Sequence, residues 1–171
     1  RVGILPTPAI SFLVKDRGAD LGVMISASHN PASDNGIKFF DRTGSKLADQ
    51  IEAKIEGVLG KTVVSNNGAG RVIEDFEAKE SYIKNLLKSL DGNLSGIKVV
   101  VDCANGAASF VAPDVLKRAG AEVVAISASP NGLNINDNCG STHLESLIAA
   151  VKDEGADIGI AHDGDADRVL A

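Results

Sequence analysis

The chain has 171 residues, with 17 Lys and Arg against 23 Asp and Glu, a formal net charge of −6 and an apolar fraction of 44%. That acidic balance excludes a protein built to neutralise nucleic-acid phosphates, and 4% aromatic residues supply no stacking platform for single strands. Disorder is excluded by the ordinary apolar content, and no apolar run reaches the ~18 residues that a bilayer requires. A length near ~150 residues fits one domain or two small ones. Cys103 and Cys139 have no metal-type spacing and read as two reduced thiols of a cytoplasmic protein.

In chain order, residues 2–5 form a short apolar run closed by Pro6-Thr7-Pro8 and read as a strand. Ile10, Leu13 and Val14 predict a helix over 8–17, and residues 21–25 and 37–40 read as strands. Leu47, Ile51, Ile55, Val58 and Leu59 share one face of a helix over 47–59. A polar, glycine-rich break over 65–70 follows, and the boundary between two units is expected within 65–75. Tyr82, Ile83, Leu86, Leu87 and Leu90 then predict a helix over 76–90. Residues 97–102 read as a strand, 107–119 as a helix ending at Gly120, and 122–126 as a strand. A long loop spans 128–141. Thr142 and Glu145 read as a capping box opening a helix over 143–154 that Gly155 closes, and 156–161 as a last strand. Strands alternating with helices of this length indicate an α/β fold with parallel pairings. The chain opens on Arg1 and stops on the apolar run Val169-Leu170-Ala171, so a fragment is expected.

Chemistry concentrates at two strand ends. Asp163-Gly164-Asp165-Ala166-Asp167-Arg168 follows the last strand. On an extended backbone its three carboxylates point the same way and form a set of hard oxygen ligands, best suited to Mg²⁺ with phosphate. An EF-hand is disfavoured, because Arg168 stands where that loop needs glycine and a strand precedes it. The second motif, Ser26-Ala27-Ser28-His29-Asn30-Pro31, also ends a strand, the edge at which open α/β sheets bind ligands. Read alone it is a turn or a helix cap; there is no G-x-S-x-G elbow to make Ser28 a hydrolase nucleophile. Lys38 lies inside an apolar strand, either as a solvated edge residue or as a cation aimed at a phosphate or a proton donor. His143 reads as a helix-surface residue and His162 as a packing residue.

Taken together, Ser26 to Pro31, Asp34-Asn35-Gly36-Ile37-Lys38-Phe39 and Asp163 to Arg168 resemble the α-D-phosphohexomutases. Gly132-Leu133-Asn134-Ile135-Asn136 with Cys139-Gly140-Ser141-Thr142-His143, and Gly3 to Pro8 upstream, resemble the members of that family that act on hexosamine phosphates. The resemblance implies a four-domain enzyme with three-layer α/β domains and mixed, largely parallel sheets. Residues 1–74 would be the latter part of domain 1 and 75–171 a truncated domain 2, the fragment itself being inactive. It further implies that Ser28 carries a phosphoryl group and passes it to a hexosamine 6-phosphate through a 1,6-bisphosphate. Mg²⁺ would be held by Asp163, Asp165, Asp167 and the Ser28 phosphoryl. Lys38 would move a proton or stabilise charge near the sugar, with His29 supporting it, and Arg168 would clamp a phosphate. A phosphosugar is thus the implied substrate, with no nucleic-acid or membrane partner, and the full-length protein could form a homodimer. Mannose- or glucose-phosphate mutases share these motifs, and a non-catalytic metal- or phosphate-binding module is the alternative from another class.

Overall fold

In the computed structural model, residues 1–61 and 70–171 are described. The glycine-rich break over 65–70 lies almost wholly outside them. The first unit contains α1 (Thr7–Arg17), β1 (Leu21–Ile25), β2 (Ile37–Asp41) and α2 (Asp49–Glu56). β1 and β2 pair antiparallel, with Met24 opposite Lys38 and Ile25 opposite Ile37. α1 buries Ile10 and Val14 against Phe40. Gly22 makes this close approach feasible, since a Cβ there would lie 2.4 Å from Val14 Cγ2. Residues 2–5 form no strand: Gly3 takes φ +73°, outside the extended region, and Leu5 turns into the core. α2 is shorter than its apolar stripe predicts and buries none of its residues; Ile51, Val58 and Leu59 are exposed.

The second unit contains α3 (Ala78–Lys88), β3 (Lys98–Asp102), α4 (Ala112–Arg118), β4 (Glu122–Ile126), α5 (Glu145–Glu154), β5 (Ile158–His162) and β6 (Val169–Leu170). Its sheet has the order β4-β3-β5-β6. β3 pairs parallel with both β4 and β5, and β6 returns antiparallel to β5. Successive valines of β3 face opposite layers, as strand geometry requires. Val100 packs with Leu147 of α5, and Val101 with Ala112 and Leu116 of α4. The α/β class therefore holds in both units, and the parallel pairings among the described residues lie in the second. Among the described residues of the first unit, the sheet is a two-stranded antiparallel pair.

Two further local expectations, both in the second unit, differ from the structure. The helix over 107–119 begins as a 3₁₀ turn (Ala107–Phe110) before α4, whose first turn contains Pro113. The capping box does not form: His143 is extended at φ −141°, so α5 starts only at Glu145, with no side-chain cap. Gly155 does close α5 in the left-handed conformation. No helix of the described residues is long and apolar enough to cross a membrane.

The two units share a core. Leu5, Ala9 and Leu13 pack against Ala78, Tyr82, Ile83 and Val111, joining α1 to α3. Ile83 is fully buried there. Ile83→Ala should cost about 2–5 kcal/mol through lost transfer energy and the cavity left behind. Denaturant unfolding should show this as a lower midpoint at unchanged slope.

Candidate functional site

Ser28 follows β1 and the acidic loop follows β5, so each motif sits at the end of a short strand. The units meet where these loops touch. Ser28 has φ +56°, a conformation uncommon for residues with a Cβ, and its N–H donates to Ser26 Oγ at 2.9 Å. Its hydroxyl donates to Asp163 Oδ2 at 2.7 Å and accepts from Arg168 Nη2 at 2.7 Å. The same Nη2 donates to His29 Nδ1 at 2.5 Å, which places the His29 ring proton on Nε2. His29 thus meets Arg168, on the Ser28 side of the site.

The acidic loop is a turn and not the extended segment expected from its alternation. Ala166 has φ +53°, and its N–H donates to the Asp163 carbonyl at 3.0 Å. Folding the backbone this way still gathers the three side chains, each offering one oxygen within 4.8 Å of the others. Asp163 and Asp165 are buried, whereas Asp167 is exposed. Lys38 Nζ donates to Asp165 Oδ2 at 2.6 Å and Asp167 Oδ2 at 2.9 Å. Burial works to lower the Lys38 pKa, yet these two bonds outweigh it and hold the value above that of an ordinary lysine. Burial likewise works to raise Asp165, but Lys38 and Thr7 keep it below the usual carboxylate value. Asp165 Oδ1 is buried with no hydrogen-bond partner among the described residues. A buried carboxylate oxygen without a donor, beside two further carboxylates, fits a hard divalent cation.

Thr7 was not singled out in the sequence. Its hydroxyl donates to Asp165 Oδ2 at 2.5 Å and its N–H to the Asp165 carbonyl at 2.8 Å, so the start of α1 anchors the acidic loop. The only local sign is a threonine between two prolines at a helix start. Gly106 was not singled out in the sequence either, and Gly164 only as a member of the acidic motif. A Cβ on Gly106 would lie 2.2 Å from the Gly164 carbonyl oxygen, so the turn after β3 presses directly on the acidic loop.

His162 is half-buried beside a cavity of about 300 Å³ that Tyr82 and Val111 also line. Burial holds its pKa below that of a free histidine, against the opposing pull of Asp163. The unfolded value is ~6.5, so its contribution to stability is full above that pH and is lost as pH falls through the lower folded value. His162→Phe should therefore lose less unfolding free energy than the parent between about pH 7 and pH 5. An unchanged pH slope in denaturant titrations would contradict this. His143 is exposed and precedes α5.

The family description "Phosphoglucomutase/phosphomannomutase, alpha/beta/alpha domain I" matches residues 1–63, and its domain II counterpart matches 80–171. A phosphoglucosamine mutase from Thermobifida fusca is 58% identical over 173 residues, which take in 100% of this chain and 38% of that protein. One from Paenarthrobacter aurescens is 59% identical over 171 residues, covering 99% of this chain and 38% of its own length. The crystal structure of a phosphoglucomutase/phosphomannomutase family protein from Burkholderia thailandensis matches with a TM-score of 0.80 at 28% identity. That match covers 98% of this chain and 38% of the other. The chain thus spans a little over a third of the length of the curated relatives it matches.

Proposed function

This chain belongs to the phosphoglucomutase/phosphomannomutase family, and from that premise we propose that it is the Ser28- and metal-bearing portion of a phosphoglucosamine mutase. We read residues 1–74 as the latter part of domain 1 and 75–171 as domain 2. The observation that carries the mutase reading is the meeting of Ser28 Oγ with Asp163 and Arg168, both at 2.7 Å, across two loops far apart in sequence. The choice of glucosamine rests on the relatives at 58% and 59% identity, which bear that name.

In this reading phosphorylated Ser28 gives its phosphoryl group to the 1-hydroxyl of glucosamine 6-phosphate. The resulting 1,6-bisphosphate turns over in the cleft and returns its 6-phosphoryl to Ser28, leaving glucosamine 1-phosphate. Arg168 holds Ser28 Oγ with one nitrogen and donates to Asp163 with another, which places a fixed fork beside the transferring group. Lys38, kept as an ammonium, supplies positive charge and a donor near the sugar hydroxyl. His29 orients the Arg168 guanidinium through Nδ1. When bound to Asp163, Asp165, Asp167 and an oxygen of the Ser28 phosphoryl, Mg²⁺ would offset charge on the transferring group. Two buried free thiols, Cys103 and Cys139, fit a cytoplasmic enzyme, and burial pushes the Cys103 thiol up to about 12.

Turnover of glucosamine, mannose and glucose 6-phosphates by the full-length protein tests the sugar assignment. Glucosamine 6-phosphate should have the highest kcat/KM; a strong preference for mannose would overturn it. Residues 1–171 alone should show no mutase turnover, because only part of the cleft is present; robust activity would contradict that. Gly106→Ala should push the acidic loop away and weaken Mg²⁺ binding about 10- to 100-fold by calorimetric titration.

A further inference from the structure

Asn136 lies in the connection between β4 and α5, in the second unit, yet its side chain ends on the first. Its Nδ2 donates to the carbonyl of Ser28 at 2.8 Å and to that of Asn30 at 2.9 Å. Two carbonyl oxygens converging on one atom call for a group that brings two hydrogens. A carboxamide nitrogen is such a group, whereas a carboxylate of the same shape only accepts.

The backbone holds the amide in place. Asn136 has φ +58°, a conformation that asparagine tolerates better than most residues, and its N–H donates to the Ala104 carbonyl at 2.9 Å. Ala104 N–H in turn donates to the buried Asp102 carboxylate, whose other oxygen accepts from Gly140 N–H, each at 2.9 Å. Asp102 thereby ties the loop to the end of β3. The acidic loop closes the other side: a Cβ on Gly164 would lie 2.8 Å from Asn136 Nδ2 and 2.6 Å from the Ser28 carbonyl oxygen.

We propose that Asn136 is a positioning residue for the phosphoryl-carrying serine. Its two hydrogen bonds lock the main chain on either side of His29 against the acidic loop, so that Ser28 Oγ returns to the same place in each transfer. The proposal rests on the reading of Ser28 as the phosphoryl carrier. Ser28 itself occupies an unfavourable backbone region, so the loop needs a restraint from outside, and Asn136 applies one at Ser28's own carbonyl. The amide bonds to main-chain oxygens and not to reacting atoms. Its loss acts on the transfer step and not on capture of the sugar phosphate.

The test is steady-state kinetics of the full-length enzyme carrying Asn136→Asp or Asn136→Gly. Both residues tolerate the left-handed conformation; the first keeps the shape and reverses the polarity, the second deletes the side chain. A folding failure in one therefore leaves the other decisive. The expected result is a kcat lowered about 10- to 100-fold with KM changed by less than about threefold. A kcat within about twofold of the parent, or a loss carried by KM, would overturn the proposal. Ser28→Ala is assayed in parallel. Retained turnover there would sink the carrier reading, whereas an inactive Ser28→Ala beside unaffected Asn136 variants would sink the positioning role alone.

Discussion

Ser28→Ala in the full-length enzyme should lower kcat by on the order of 10⁴-fold or more, because no other group replaces a covalent carrier. The substitution removes one oxygen and little else. Ser28 is half-buried, and its left-handed φ of +56° is no better suited to alanine than to serine. Asp163 Oδ2 and Arg168 Nη2, both bonded to that oxygen, keep a bond to each other at 3.2 Å, so the loop retains a link across the gap. KM for the sugar phosphate should change far less than kcat. The variant should also fail to take up a phosphoryl group from the 1,6-bisphosphate. A variant that kept even a tenth of the activity would mean that phosphoryl transfer runs through another residue.

Asp165→Asn should have the next largest effect, a fall in kcat of about 10²- to 10³-fold together with a rise in the Mg²⁺ concentration needed for half activity. Asp165 is buried and carries three loads at once. Its Oδ2 accepts from both Thr7 Oγ and Lys38 Nζ, while its Oδ1 has no donor among the described residues. An asparagine of the same shape keeps one oxygen but removes the charge. It can satisfy Thr7 and Lys38 or face the cation with its oxygen, and not both. Replacing Asp167 should be milder, since that carboxylate is exposed and water can take its place. Calorimetric Mg²⁺ titration of the two variants measures the contrast, and equal affinities would contradict the geometry described here.

The residues whose chemistry is local were the ones legible in the sequence. The acidic loop announces itself because three alternating acids are unusual over so few residues, whereas the serine loop, a turn or helix cap when read alone, becomes legible only beside the Lys38 strand and the acidic loop. The continuous apolar run of β3 likewise marks a strand from the sequence alone. Thr7 stayed hidden because its partner is 158 positions away, and nothing near it in the chain differs from an ordinary helix start. Asn136 stands in the 132–136 motif, but its contact stayed hidden for the same reason: only the approach of the Ser28 carbonyl separates it from the other asparagines of that loop. Periodicity also misled where a partner was required. Ile51 reads as a core position, but it is exposed and α2 buries none of its residues. Thr142 and Glu145 have capping-box spacing, but the chain is still extended at His143.

Intact-mass and peptide analysis of the full-length protein for phosphate on Ser28 tests the central claim most directly. The account predicts one phosphoryl group on the peptide that contains Ser28, lost when excess glucosamine 6-phosphate is added and absent from Ser28→Ala. A phosphate located on another residue, together with a fully active Ser28→Ala enzyme, would contradict it.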